Sequence, residues 1–300
     1  MFGLDLIFGG KDGVSYNAKA VVTGAGSGIG RAFAVELAAR GGEVLCADIN
    51  KDSADDTVRL IERVHGGKAH AVFCDVSRRD DVESLAMHAE LIFGGPPTLV
   101  INNAGVGIGG RTVGNIGFAD WEWALGINLW GVVYGCEVFA PLLRANSARA
   151  GIINVASAAG FAAAPRMAAY NVSKAAVLAL SETMSAEMSG SGVTVTALCP
   201  TFVKTNVARN GDLTEKSLQI ADTLMRWTGF SPERVARTTL DAHDKGHLYV
   251  LPQLDANLIW HLKRHLPAQY TAALGLLNRI LPQDNSHSIQ PLLPTQTTGV

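Results

Sequence analysis

Charge is scarce in this 300-residue chain: Asp, Glu, Lys and Arg make up 17% of it and balance to a net −2. That leaves no broad positive field to hold nucleic acid, and none is expected as a partner. Only four cysteines occur, at 46, 74, 136 and 199, with no C-x-x-C pair among them. Three fall in apolar, strand-like runs, which predicts reduced, buried thiols and a cytoplasmic setting. No window approaches the ~18 to 20 apolar residues that a membrane span needs, so no transmembrane segment is expected. The opening MFGLDLIFGG lacks a basic stretch and contains Asp5, unlike a signal peptide.

What is present is apolar sequence, 48% of the chain, in an alternating order. Strand-like runs at 19–23, 43–47, 69–74, 98–101, 151–156, 193–198 and 247–251 are separated by helix-like segments. The helical patterns cover 31–40, 53–65, 79–93, 120–144 and 168–188. Apolar strands joined by helices predict an α/β fold: a doubly wound, mostly parallel seven-stranded sheet of the Rossmann type, with helices on both faces. Three parts are expected: an N-terminal arm (1–17), a single domain (18–252) including a substrate loop at 200–230, and a helical C-terminal extension (253–300). Amphipathic patterns at 254–266 and 268–281 supply the extension's helices. Its end, 282–300, is rich in Pro, Gln, Ser and Thr and is expected to be disordered.

Thr23-Gly24-Ala25-Gly26-Ser27-Gly28-Ile29-Gly30 follows the first strand and opens a helix. Glycines let the backbone approach a pyrophosphate, and the helix N-terminus offers free N–H groups. A purely structural strand-to-helix turn is the alternative. Asp48 ends the second strand about twenty residues further on, where a carboxylate can accept hydrogen bonds from the adenosine ribose hydroxyls and repel a 2′-phosphate. It could instead only cap the following loop.

Tyr170 and Lys174 are four apart on a helix and share a face. A phenol with a pKa near ~10 is a poor base at neutral pH. An ammonium beside it, helped by the positive ring of NAD⁺, would lower that value. Ser157, ending the fifth strand, can hydrogen-bond a substrate oxygen next to the tyrosine. Each piece alone could be an ordinary helix face or loop; the combination is specific.

With its G-x-x-x-G-x-G spacing, the Tyr-x-x-x-Lys pair and the preceding serine, the chain resembles the short-chain dehydrogenase/reductase family over residues 17 to 252. The resemblance assigns Gly24, Ser27, Gly28, Ile29, Gly30 and Asp48 to the cofactor. It adds the Asp75-Val76 pair to the adenine, Asn103, Ala104 and Gly105 of N-N-A-G to the cofactor border, and Val203 and Thr205 to the carboxamide. It makes Ser157, Tyr170, Lys174 and Asn128 the catalytic group. Asn128 would hold a water linking the lysine to solvent, and Tyr170 and Lys174 would also touch the cofactor. Thr201 stands where the family commonly has Gly, and Ala156 where it commonly has Ser.

The implied activity is hydride transfer between NAD(H) and a secondary alcohol or ketone, with Tyr170 as acid/base. Neither Ser27 nor Ile49 supplies the basic residue that NADP-using relatives place nearby, so NAD is favoured over NADP, with Arg31 the opposing sign. The alternatives are an NADPH-dependent carbonyl reductase and a non-catalytic, cofactor-sensing binding protein. Phe161, Met167, Phe202 and Trp227 suggest a lipophilic small-molecule substrate under a mobile lid at 206–230. Three readings of the tail are open: packing over the substrate opening or a second subunit, a surface-lying peripheral membrane contact, or a helix docked on its own subunit. His261/His265 and His243/His247 have i,i+4 spacing but no accompanying ligands, so solvated histidines and no metal are expected. A homodimer or homotetramer through 120–144 and 168–188 is expected, with Trp121, Trp123, Trp130 and Tyr134 serving the contact or the core.

Overall fold

The computed structural model describes residues 13–146, 149–205 and 211–280. The main sheet consists of β1 (Lys19–Thr23), β2 (Glu43–Asp48), β3 (Ala69–Phe73), β4 (Leu99–Asn102), β6 (Ala150–Val155), β7 (Val193–Leu198) and β9 (Tyr249–Val250). Its order is β3-β2-β1-β4-β6-β7-β9, and every pairing is parallel. The order reverses between β1 and β4, which opens the crevice at the carboxyl ends of the strands where ligands of such sheets bind. A short pair that no sequence pattern announced, β5 (Ile108–Gly109) with β8 (Asp212–Leu213), forms a second sheet.

Alternation along the strands divides the core in two. Val21, Leu45, Val100, Ile152 and Val195 face one side, against α3 (Arg79–Phe93), α5 (Gly131–Arg144) and α7 (Ala168–Glu187). Val22, Val44, Cys46, Ile101 and Ile153 face the other, against α1 (Gly28–Ala39), α2 (Lys51–His65) and α9 (Pro232–Asp244). Local chemistry sets the helix ends. The Asn50 side chain accepts from Ser53 N–H at the start of α2, and Gly66 closes that helix in the left-handed region at φ 58°. Ser231 caps α9, with Pro232 in its first turn.

Four sequence expectations change here. The helix expected at 120–144 is α4 (Phe118–Leu125), a wide π turn at Gly126–Trp130, and α5. The turn surrounds Asn128, which is fully buried. Helix α5 presses onto the sheet through glycines: a Cβ on Gly131 would sit 2.8 Å from Val76 Cγ2, and one on Gly135 would collide with Asn102. By length and mean hydropathy (1.3), the stretch Phe118–Arg144 does reach what a membrane span needs. It nevertheless packs Val132, Cys136, Phe139 and Leu143 into the core, as a core helix does. In the expected lid, 206–210 lie outside the described residues; the remainder holds β8 and the helix α8 (Glu215–Thr228). Finally, His243 is not solvated: it is 1% exposed, and its Nδ1 lies 2.9 Å from Thr196 Oγ1.

All four cysteines are buried free thiols, each pushed up to about 12 by burial. Of the N-terminal arm, 1–12 lie outside the described residues, while Ser15 donates from both N–H and Oγ to Asp244, at 2.9 and 2.6 Å. The extension forms α10 (Leu254–His265) and α11 (Pro267–Ile280); the end expected to be disordered, 282–300, lies outside the described residues.

Candidate active site

The glycine turn is tightly packed. Gly24 and Gly28 adopt φ 65° and 54°, and a Cβ on Gly30 would collide with the Gly24 carbonyl. Thr23 Oγ1 accepts from Asn103 N–H and Ala104 N–H at 3.0 and 3.1 Å, and Asn103 Nδ2 donates to Thr23 O at 2.8 Å. These bonds fix the Asn103-Ala104-Gly105 loop against the turn. Ser27 is the N-cap of α1 without a side-chain cap bond, no acidic residue occupies the first turn, and Ile29 packs into the core. A positive helix end with no acidic residue in its own first turn suits a pyrophosphate.

Asp48 reaches this turn. Its carboxylate accepts from Gly26 N–H and Asn50 N–H, both at 2.8 Å, which leaves lone pairs for further donors. Arg31 flanks the same loop: its guanidinium donates to Gly26 O, and its Nε donates to Thr57 Oγ1 at 3.0 Å. Asp75 turns one oxygen onto Ser77 (2.7 Å from Oγ), and Val76 is buried against α5. Thr205 reaches the start of α1, 3.1 Å from where a Gly28 Cβ would lie; Val203 is buried and bridges to Phe230. Residues assigned to a dinucleotide therefore gather around the glycine turn, where glycines let Asn103, Ala104, Asp48 and Thr205 approach its backbone closely.

The expected catalytic group also converges. Ser157 follows β6, and its Oγ accepts from Ala159 N–H at 3.1 Å. Tyr170 lies in the first turn of α7, near Ser157; burial raises the phenol, and the serine draws it back. Lys174, one helical turn on, sits with Nζ 5.9 Å from the Tyr170 ring centre and donates to Val155 O at 2.8 Å. Burial pushes the Lys174 ammonium down to about 8. Among the protein's own groups, burial thus raises the phenol, whereas the lowering expected from sequence invokes the ammonium together with the positive ring of NAD⁺. Desolvation is the larger effect, and Ser157 opposes it.

Asn128 holds the neighbouring loop. Its Oδ1 accepts from Val106 N–H (2.8 Å), and its Nδ2 donates to Val106 O (2.9 Å). A Cβ on Gly105 would lie 2.9 Å from Asn128 Oδ1 and 3.5 Å from Lys174 Nζ. The asparagine, the bare backbone of Gly105 and the ammonium are therefore stacked together.

On the substrate side, Met167 lies over Gly109 and, with Ile108, Ile116, Ala168 and Ala169, lines an apolar recess beside the start of α7. Two of the other expected wall residues are elsewhere. Phe161 packs edge-on against Trp260 of α10, with ring centres 4.9 Å apart, and Trp227 is 81% exposed at the end of α8. Their apolar character alone could not distinguish wall from core or surface. Thr201 does not enter the left-handed region, so no glycine is required there. Its N–H donates to Gln253 Oε1 (3.2 Å), and its hydroxyl donates to Asp255 Oδ1 (3.0 Å).

Sequence reasoning missed three contacts on this side. Gln253 is 2% exposed and clamps the 201–202 backbone. Arg111 makes a bidentate pair with Asp212, at 2.6 and 3.2 Å. Arg166, at φ 62°, donates to Asn278 Oδ1 (2.9 Å). All join segments distant in the chain, and no local pattern marks them.

The profile of the short chain dehydrogenase family matches residues 18–216, and the chain belongs to that family of oxidoreductases that use nicotinamide cofactors. It is 34% identical over 264 residues to "Putative oxidoreductase SadH" of Mycobacterium tuberculosis, covering 85% of this chain and 94% of that protein. It is 38% identical over 186 residues to "Probable oxidoreductase EphD" of the same organism, covering 62% of this chain. The chain spans only about a third (31%) of that longer relative. Among solved structures, a short chain dehydrogenase/reductase from Burkholderia phymatum in complex with NAD superposes with a TM-score of 0.75 at 32% identity, covering 90% of this chain and 97% of that one.

Proposed function

We propose that the protein transfers hydride between NAD(H) and a lipophilic secondary alcohol or its ketone, with Tyr170 as acid/base. The observation that carries this reading is the convergence of Ser157, Tyr170, Lys174 and Asn128 at the carboxyl edge of β6, beside the glycine turn. When bound there, the nicotinamide would give or take the hydride and, oxidised, add positive charge near the phenol. Ser157 Oγ orients the substrate oxygen. Tyr170 accepts the alcohol proton in oxidation and returns it in reduction. Lys174 stabilises the phenolate and keeps N–H groups for the nicotinamide ribose. Both ends of the Asn128 amide are engaged with Val106, so its role is to position Gly105 and Val106 beside the lysine, and any proton relay through it uses its main chain.

Residues 18–252 act in this reading as one catalytic domain. Trp123 and Trp130, exposed on the 118–144 stretch, serve a homo-oligomer. Asp48 favours NAD, because its carboxylate can take the ribose hydroxyls and opposes a 2′-phosphate. The position of Arg31 beside Gly26 favours a second reading, an NADPH-dependent carbonyl reductase. One assay series tests both. A panel of hydrophobic secondary alcohols should give NADH with NAD⁺ and little NADPH with NADP⁺. Preference for NADP⁺ would select the second reading, and turnover of small polyols alone would remove the lipophilic substrate.

A further inference from the structure

We propose that α10 and α11 form a docking surface for an anionic lipid bilayer. Helix α10 buries only Ala256 and Trp260. Leu254, Leu258 and Leu262, spaced four apart, form its opposite face and are 88%, 60% and 38% exposed. A helix that served only its own domain would carry polar residues there. Helix α11 buries no residue; Arg279 is the sole charge in its 14 residues, and Leu276, Leu277 and Ile280 are exposed.

The charge on this surface selects the occupant. From 254 to 280 the chain carries Lys263, Arg264 and Arg279 against one acidic residue, Asp255. That carboxylate is engaged with Thr201 and with Ala256 N–H; Lys263 reaches Thr271 Oγ1 at 3.3 Å and Arg264 stacks on Trp260, contacts that do not neutralise their charge. In a twofold contact a second copy would present this same net positive surface. Anionic headgroups are their complement, and exposed leucines flanked by basic residues match an interfacial helix. The surface also adjoins the cleft. Asn278 of α11 holds Arg166, four residues before Tyr170, and Asp255 of α10 holds Thr201. On the reading given under Proposed function, a lipophilic substrate would then pass from the bilayer to the cleft rim.

The test is co-sedimentation of the full chain with phosphatidylcholine vesicles, with and without phosphatidylglycerol. The chain is expected to bind the anionic vesicles, bind neutral ones far less, and release as salt rises. Lys263→Gln with Arg279→Gln should weaken binding roughly fivefold per basic side chain. Leu258→Ser with Leu262→Ser should weaken it at unchanged charge, whereas Leu91→Ser, an exposed leucine of α3, should not. All five positions face solvent or lie at the surface, so the fold is retained, and cofactor-dependent turnover of a soluble alcohol should match the parent. Sedimentation needs no turnover, so failure of the proposed reaction would not mask the result. The proposal is overturned if the parent ignores anionic vesicles, if the paired variants bind as the parent does, or if the leucine pair instead breaks an oligomer seen by light scattering.

Discussion

On the glycine-turn side of the cleft, Thr23, Asn103 and Asp48 hold one another through backbone groups a few ångströms apart, and glycines stand where a Cβ would collide. On the substrate side, the segments around 109–111, 163–167, 201–202 and 212–213 are joined by long side chains: Arg111 to Asp212, Arg166 to Asn278, Gln253 to Phe202. Ala163 and Arg166 occupy the left-handed region there without being glycine. The first arrangement tolerates almost no substitution and suits a ligand of constant shape. The second can be rebuilt by exchanging a few residues, as a changing substrate requires.

Tyr170 lies where the two sides meet, and altering it should separate them most sharply. Tyr170→Phe removes the proton-transferring hydroxyl but no part of the groove. Turnover should fall by about 10²- to 10⁴-fold, the usual worth of general acid–base catalysis. NADH binding, followed by fluorescence titration, should stay within a factor of a few. Near-parental turnover would remove the role assigned to the phenol, and lost NADH binding would show that the sides are not separable.

An acid titration probes the helix layer under the glycine turn. Burial lowers His243 from its ordinary 6.5 to about 4, so the folded protein holds it neutral. Between those values the unfolded chain binds a proton that the folded chain refuses. Stability is therefore full above about 6.5 and declines as the pH falls. At pH 5.5 the loss is about 1 kcal/mol. Urea midpoints at pH 7.5 and 5.5 should show it, and His243→Gln should lose this part of the pH dependence. An equal acid shift in that variant would place the sensitivity elsewhere.

The same contrast explains what was legible in the sequence. The sheet and its helices followed from apolar periodicity, and the groove residues from the spacing of glycines, Asp48 and the tyrosine–lysine pair, because each signal is local. The π turn escaped because it follows from Asn128 bonding to Val106, 22 residues away. Helix α8 escaped because most of its residues face solvent and its polar sequence resembles a loop. His243 was misplaced because its partner Thr196 lies 47 residues earlier, across the sheet. Spacing brought Ser157, Tyr170 and Lys174 together but not the raised phenol, since burial is a property of the assembled cleft.

Thr201 offers the finest test of the difference between the two sides. Where the family commonly has glycine, its hydroxyl ties the loop after β7 to Asp255, the first acidic residue of α10. Thr201→Val keeps the shape and removes that bond, while Gln253 and the Ala256 N–H still hold the surrounding groups. The cost should be about 1 kcal/mol. It should be felt locally, because α10 and α11 can open without breaking the sheet. Amide exchange should then rise roughly fivefold in 254–280 and hardly change in β1 or β4, with the global melting temperature moving by about a degree or two. Equal acceleration in β1 and β4 would mean that the tail and the glycine-turn side unfold as one unit, and the contrast between them would be one of chemistry only.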